Sequence, residues 1–212
     1  MLLELRDVTV EYPTPGRDAS TLKALDHLSL SIEAGEAVCV IGPSGCGKST
    51  ALRLASGLAK PTEGEVLAHG ERITGPRDDC ALILQDYGLL PWMSVYKNAG
   101  LGLSVRGVEK EQRRRRTLGA LERVGLAGFE KAWPSELSGG MQQRLALARA
   151  VAMQADLLLM DEPLSALDAL LREDMQLMLL RLWNEGGYGQ LLVTHSIEEA
   201  VLLGQRIVVM AP

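Results

Sequence analysis

The chain opens on LLELRDVTVEY, in which apolar and polar residues alternate, and LDHLSLSIEAGE repeats the pattern. Both segments predict half-exposed strands of an antiparallel layer. Three later runs, EAVCVIG, ADLLLMDE and GQLLVTH, are apolar almost without interruption and end on a glycine or polar residue. Such runs mark strands buried on both faces of a parallel sheet, and RIVVM predicts a fourth. Between the first and second runs, residues 86–155 are rich in Arg, Glu, Leu and Ala and lack strand alternation, which predicts an inserted helical lobe. The expected organisation is one α/β domain, 1–212. Residues 1–85 and 156–212 build the β layer and parallel core, and 86–155 the lobe.

Composition narrows the partners. A chain of 212 residues that is 47% hydrophobic can bury a full core without covalent staples. Acidic residues outnumber basic ones, 27 to 22, so the overall field gives no drive toward nucleic acid. The run RRRR at 113–116 lies in a helical stretch and reads as a solvated face. Cys39, Cys46 and Cys80 have no Cys-x-x-Cys spacing, and an odd count suits a reducing compartment. No membrane-spanning run or leader segment is apparent, which predicts a cytoplasmic chain.

In a parallel sheet the ligand lies beyond the carboxyl ends of the strands. Here those ends carry the segment 42–50, Asp161 with Glu162, and His195. The first, Gly42-Pro43-Ser44-Gly45-Cys46-Gly47-Lys48-Ser49-Thr50, fits G-x-x-x-x-G-K-[ST]. In that motif backbone amides surround phosphates, the lysine reaches the β- and γ-phosphates and a hydroxyl meets Mg²⁺. The helix KSTALRLASGL adds its positive end to the site. Cys46 reads as a small residue that fits the loop. Two carboxylates behind a buried run are costly without a cation, so Asp161 is expected to hold Mg²⁺, directly or through water. Glu162 would orient and deprotonate an attacking water, and His195 would hydrogen-bond the γ-phosphate. His27 and His69 have no such context. A second glycine turn, SELSGGMQQR at 135–144, opens the helix MQQRLALARAVA and forms an anion site with no lysine or metal ligand of its own.

In this order, the phosphate loop, LSGGM, LLLMDEP, SALD and VTHS resemble the nucleotide-binding subunit of an ABC transporter over nearly the whole chain. The resemblance implies a P-loop NTPase, RecA-like core with ATP and Mg²⁺ as cofactors, and ATP hydrolysis coupled to transport. It implies a head-to-tail homodimer in which Ser138, Gly139 and Gly140 cap the γ-phosphate held by the other copy. It assigns Gln85, in LILQD, a contact to Mg²⁺ and water and a link to the helical lobe. Asp168 helps position the opposite site, and Tyr12 stacks on adenine. Met141 and Leu84 depart from the commonest pattern, where Gln and Phe stand, and the chain stops at RIVVMAP where members usually continue.

LLPWMSVYKN, GMQQR, DALLREDMQ and HSIEEAV most resemble the ATPase subunits of bacterial importers for nitrate, taurine and other sulfonates. That branch implies separate permease subunits docking near Trp92, a periplasmic or lipid-anchored solute-binding protein, and a place on the inner face of the cell membrane. The alternatives are a P-loop phosphotransferase or kinase, which has no use for LSGGM, and a non-transport ABC ATPase, which usually carries two cassettes or long helical inserts.

Overall fold

The computed structural model describes residues 1–13 and 21–211. They fall into two compact units, the first formed by Met1–Cys80, Asp156–Glu162 and Gly187–Pro212. In chain order it contains β1 (Leu3–Pro13), β2 (Thr21–Ile32), β3 (Ala37–Ile41), α1 (Lys48–Ala55), β4 (Glu63–Ala68) and β5 (Glu71–Arg72). A short strand, β6 (Cys80–Ile83), starts at the boundary. The remaining elements of this unit are β7 (Leu157–Asp161), β8 (Gly189–Thr194), α7 (Ile197–Leu203) and β9 (Arg206–Val209).

The antiparallel layer has the order β2-β1-β4-β5. Strict alternation along β1 fails at one point: Leu3, Leu5, Val8 and Val10 are buried, and the register with β2 slips between Leu5 and Val8. Asp7, inside that slip, has φ 51° and its amide donates to Ser29 Oγ at 3.0 Å. The extra residue of this bulge returns the apolar side chains to the core face. β4 and β5 form a hairpin in EGEVLAHGER that the apolar pattern does not announce.

The parallel strands run in the order β7-β8-β3-β9. β3 and β7 are buried over their first four residues and β8 over all six, as near-continuous apolar runs require. Gln190 and Thr194 are the polar side chains of β8, and Gln190 Nε2 donates to Leu203 O at 2.9 Å. β9 departs from the expectation of a doubly buried strand: its burial alternates, leaving Val209 73% exposed. Among the described strands it pairs with β3 alone and is the edge of the sheet, and the side chains on its exposed face are Ile207 and Val209. α1 packs on this sheet through Ala51, Leu52, Leu54 and Ala55.

The second unit comprises Ala81–Ala155 and Pro163–Gly186. It contains α2 (Val95–Ala99), α3 (Leu101–Val105), α4 (Lys110–Arg123), α5 (Gly139–Met153) and α6 (Ala169–Gly186). Leu103, Leu121, Leu145, Leu147 and Leu182 fill its core, and Ala146, Ala148 and Ala152 let α5 pack closely. The arginine run is not one solvated face. Arg114 and Arg115 are exposed, but Arg113 donates to Ser104 Oγ and Arg116 donates to Ala152 O and Met153 O. Arg116 thereby serves the open carbonyls at the end of α5, a favoured place for a cation. Among the described residues no helix is long and apolar enough to cross a membrane.

Candidate functional site

β3 ends at Ile41, and the chain turns through 42–47 before α1 begins at Lys48. Gly47 caps that helix at φ 96°, where a Cβ would lie 2.3 Å from Ala24 O, so no other residue fits the turn. Lys48 is 6% exposed and folds back into the loop, its Nζ donating to Gly42 O at 2.7 Å and Pro43 O at 2.9 Å, with Cys46 Sγ 4.0 Å away. Carbonyl dipoles are weaker partners for a buried ammonium than phosphate oxygens, so a phosphate entering the loop gains a preformed cation. Thr50 is buried at the start of α1, and Ser49 beside it points its hydroxyl out to the neighbouring strand end.

That strand is β7. Ser49 Oγ donates to Asp161 Oδ1 at 3.0 Å. Burial holds the Asp161 carboxyl above its ordinary range, the Ser49 hydrogen bond opposes this, and the adjacent Glu162 charge adds to the rise. A half-buried acid and a hydroxyl with these relations form a donor pair that suits a hard divalent cation with oxygen ligands.

Glu162 follows at φ 45°, a left-handed conformation that an L-residue adopts at a cost of about 1–2 kcal/mol. Its amide donates to Val193 O of β8 at 2.9 Å, which fixes the turn. The carboxylate consequently reaches His195, whose Nδ1 lies 3.1 Å from Glu162 Oε2. His195 itself projects from the end of β8 with its side chain 60% exposed. Lys48, Ser49, Asp161, Glu162 and His195 thus gather at the carboxyl ends of the adjacent strands β3, β8 and β7.

Tyr12 lies exposed near the end of β1, paired with Leu22 of β2. The other residues singled out from the sequence belong to the second unit. Gln85 is exposed just beyond β6. Ser138 caps α5, its Oγ accepting the Met141 amide at 3.3 Å. Ser138 and Gly139 are exposed and Gly140 is buried, with a Cβ there 3.4 Å from Leu171. Asp168 precedes α6, and its Oδ1 accepts the Leu171 amide at 3.0 Å, the arrangement of a helix cap. Trp92 is 68% exposed, in a loop whose ends are tied by Asn98: its side-chain amide bonds Leu90 O and Met93 O, and its Oδ1 accepts the Leu90 amide.

Sequence reasoning overlooked two arrangements. Arg149 of α5 donates to Tyr87 O at 2.6 Å and Gly88 O at 2.7 Å, holding the segment that follows Gln85. Nothing in its spacing signals this. Beyond His195, Thr194, Ser196 and Glu199 form a hydrogen-bonded group, and there the S-x-x-E spacing of 196–199 was visible as a helix-start signal.

The profile of the ABC transporter family matches residues 25–165. A taurine import ATP-binding protein of Roseobacter denitrificans is 46% identical over 210 residues, covering 99% of this chain and 78% of that one. Its counterpart in Burkholderia thailandensis is 48% identical over 191 residues, covering 90% and 74%. Among solved structures, the dimeric structure of MJ0796, a bacterial ABC transporter cassette, superposes with a TM-score of 0.87 at 34% identity, covering 99% of this chain and 94% of that one. The MJ0796 cassette is also known dimeric in a post-hydrolysis state bound to ADP and Pi, with a TM-score of 0.86 at 35% identity. With a phosphate loop, an acidic strand end and a histidine turn set in one sheet, and with these relatives, the chain belongs to the ABC transporter family.

Proposed function

We propose that this chain is the ATP-hydrolysing subunit of an importer for taurine or related sulfonates, working as a homodimer bound to separate permease subunits at the inner face of the cell membrane. The observation that carries the catalytic part is the pair of contacts at neighbouring strand ends, Ser49 to Asp161 at 3.0 Å and Glu162 to His195 at 3.1 Å, beside the phosphate loop. The solute class rests on the taurine importers to which the chain is 46% and 48% identical.

In this reading the amides of 42–50 and the Lys48 ammonium bind the phosphates of ATP. Ser49 and Asp161 hold Mg²⁺, with Gln85 as the further contact that the family resemblance assigns. Bound Mg²⁺ supplies neutralisation of phosphate charge. Glu162 orients the attacking water and accepts its proton, and His195 fixes that carboxylate's direction through Nδ1; as the imidazolium, with both ring nitrogens protonated, it also donates from Nε2 to the γ-phosphate. Tyr12 supplies a ring face for adenine. Ser138, Gly139 and Gly140 present the amide end of α5 to the ATP of a second copy, a site that has no cation of its own. Asp168 acts across the same dimer. The dimeric cassette structures of MJ0796 support a paired assembly. Trp92, exposed on its loop, is the contact proposed for the permease, and a solute-binding protein outside the membrane completes the system.

The test has two parts. Glu162→Gln removes the base but keeps the shape, so it should bind ATP, lose turnover and accumulate as an ATP-bound dimer in analytical ultracentrifugation; a variant that stays monomeric with ATP contradicts the shared site. Proteoliposomes holding the chain with its permease and binding protein should take up labelled taurine only with internal ATP. Intact ATPase activity without uptake of any sulfonate would exclude the proposed solute class.

A further inference from the structure

We infer that Glu199, buried in the first turn of α7, is a positioning residue for His195. This rests on the hydrolytic role proposed for Glu162 and His195, and it reaches the reaction only through them.

Glu199 is 4% exposed, and Thr194, with which it bonds, is 1% exposed. The Thr194 hydroxyl donates to Glu199 Oε2 at 2.7 Å. The same hydroxyl oxygen accepts the Ser196 amide at 3.0 Å, and Ser196 Oγ accepts the Glu199 amide at 3.2 Å. A capping box ordinarily sends the carboxylate back to the N-cap amide. Here the Ser196 amide is given to Thr194 instead, and the carboxylate takes the threonine hydroxyl. The ring of bonds therefore closes around residues 194–196 from the inner side, while His195 alone projects outward to Glu162 at 3.1 Å.

Capping α7 does not require this. Ser196 Oγ already caps the helix, and a buried carboxyl group is costly unless its partners hold it. What the carboxylate adds is a fixed hydroxyl at Thr194, and through that hydroxyl a fixed amide at Ser196. The two residues flanking His195 are thus locked, and the imidazole leaves the turn in one direction. A misplacement of about 1 Å in a catalytic array can lower a rate by about a hundredfold.

The experiment compares the full chain with Glu199→Ala and Glu199→Gln in steady-state ATPase assays and in ¹⁵N spectra of the histidine rings. His195→Ala identifies the His195 signals among the three histidines. Glu199→Ala should lower kcat about tenfold or more with KM for ATP changed less than about twofold, because the phosphate loop is untouched, and should move the His195 ring resonances. Glu199→Gln, whose side-chain oxygen still accepts the Thr194 hydroxyl, should restore both. If Glu199→Ala does not fold, Thr194→Val removes the same hydroxyl and Thr194→Ser returns it, with the same two readouts. Unmoved His195 resonances in a folded Glu199→Ala or Thr194→Val protein overturn the inference, as do equal kcat losses in the Ala and Gln variants. Absence of hydrolysis in the unaltered chain would instead fail the hydrolytic reading, and the ring spectra alone would then decide whether Glu199 positions His195.

Discussion

Replacing Asp161 with Asn separates the cation role of this residue from its structural one. Without a cation the Asp161 carboxyl is a strained member of the fold: burial raises its pKa, the Glu162 charge adds to the rise, and the Ser49 hydroxyl offsets it only in part. For an acid whose folded pKa is raised, the stabilising contribution is fully present below the ordinary value of 3.8 and is lost as pH rises through the folded value. At pH 7 the nucleotide-free protein therefore carries a destabilised carboxylate. Asn keeps an oxygen for Ser49 Oγ, now 3.0 Å from Asp161 Oδ1, and removes the buried charge. The variant without nucleotide should melt at a higher temperature than the unaltered chain at pH 7, and the difference should close toward pH 4.

Ligand reverses the order. ATP with Mg²⁺ at a hundred times its Kd stabilises by about 2.7 kcal/mol, and a chain of this size moves about 2–4 °C per kcal/mol, so the unaltered protein should gain about 5–11 °C. Asp161→Asn should lose most of the Mg²⁺-dependent part while keeping what ATP gives in EDTA through Lys48 and the loop amides. Differential scanning fluorimetry under three conditions, namely no nucleotide, ATP with EDTA and ATP with Mg²⁺, measures all of this. A variant whose Mg²⁺-dependent shift equals that of the unaltered chain would refute Asp161 as a ligand. A lower melting temperature without nucleotide would refute the desolvation argument separately.

Other substitutions test the remaining parts of the site. Lys48→Ala should lose nucleotide binding in calorimetry, since it removes the ammonium that Gly42 O and Pro43 O hold in the loop. Ser138→Ala deletes the cap of α5, which costs about 1 kcal/mol of stability, and should lower dimeric turnover far more than ATP binding by the monomer; equal losses in both assays would place the serine at its own chain's nucleotide. Arg77 holds the Asp79 carboxyl down to about 2, so that contribution is present above the ordinary value of 3.8 and lost as pH falls toward 2. Arg77→Met should therefore raise the pH midpoint of acid unfolding, read by circular dichroism.

The part of this molecule that the sequence announces is the part set by backbone periodicity. Runs buried on both faces predict a parallel sheet, a parallel sheet places its chemistry at the carboxyl ends of its strands, and Lys48, Asp161 and His195 stand at three of those ends. Each step follows from a repeat that a linear string displays. The features that escaped depend on one side chain meeting backbone remote in sequence. The bulge at Asp7 is set by Ser29 and by the close approach of Gly64, whose Cβ would lie 2.3 Å from Asp7 O. Arg116 and Arg149 look like ordinary surface cations until Ala152 O and Gly88 O are found beside their guanidinium groups. The left-handed turn at Glu162 likewise needs Val193 O to hold it, and Val193 lies on another strand. Glu199 falls between these classes: its spacing from Ser196 is legible, but the diversion of its carboxylate to Thr194 is not, because that choice depends on how the β8–α7 turn closes. Which residues stand at the site follows from local pattern, whereas the direction in which Glu162 and His195 point is decided by contacts that only the folded chain brings together.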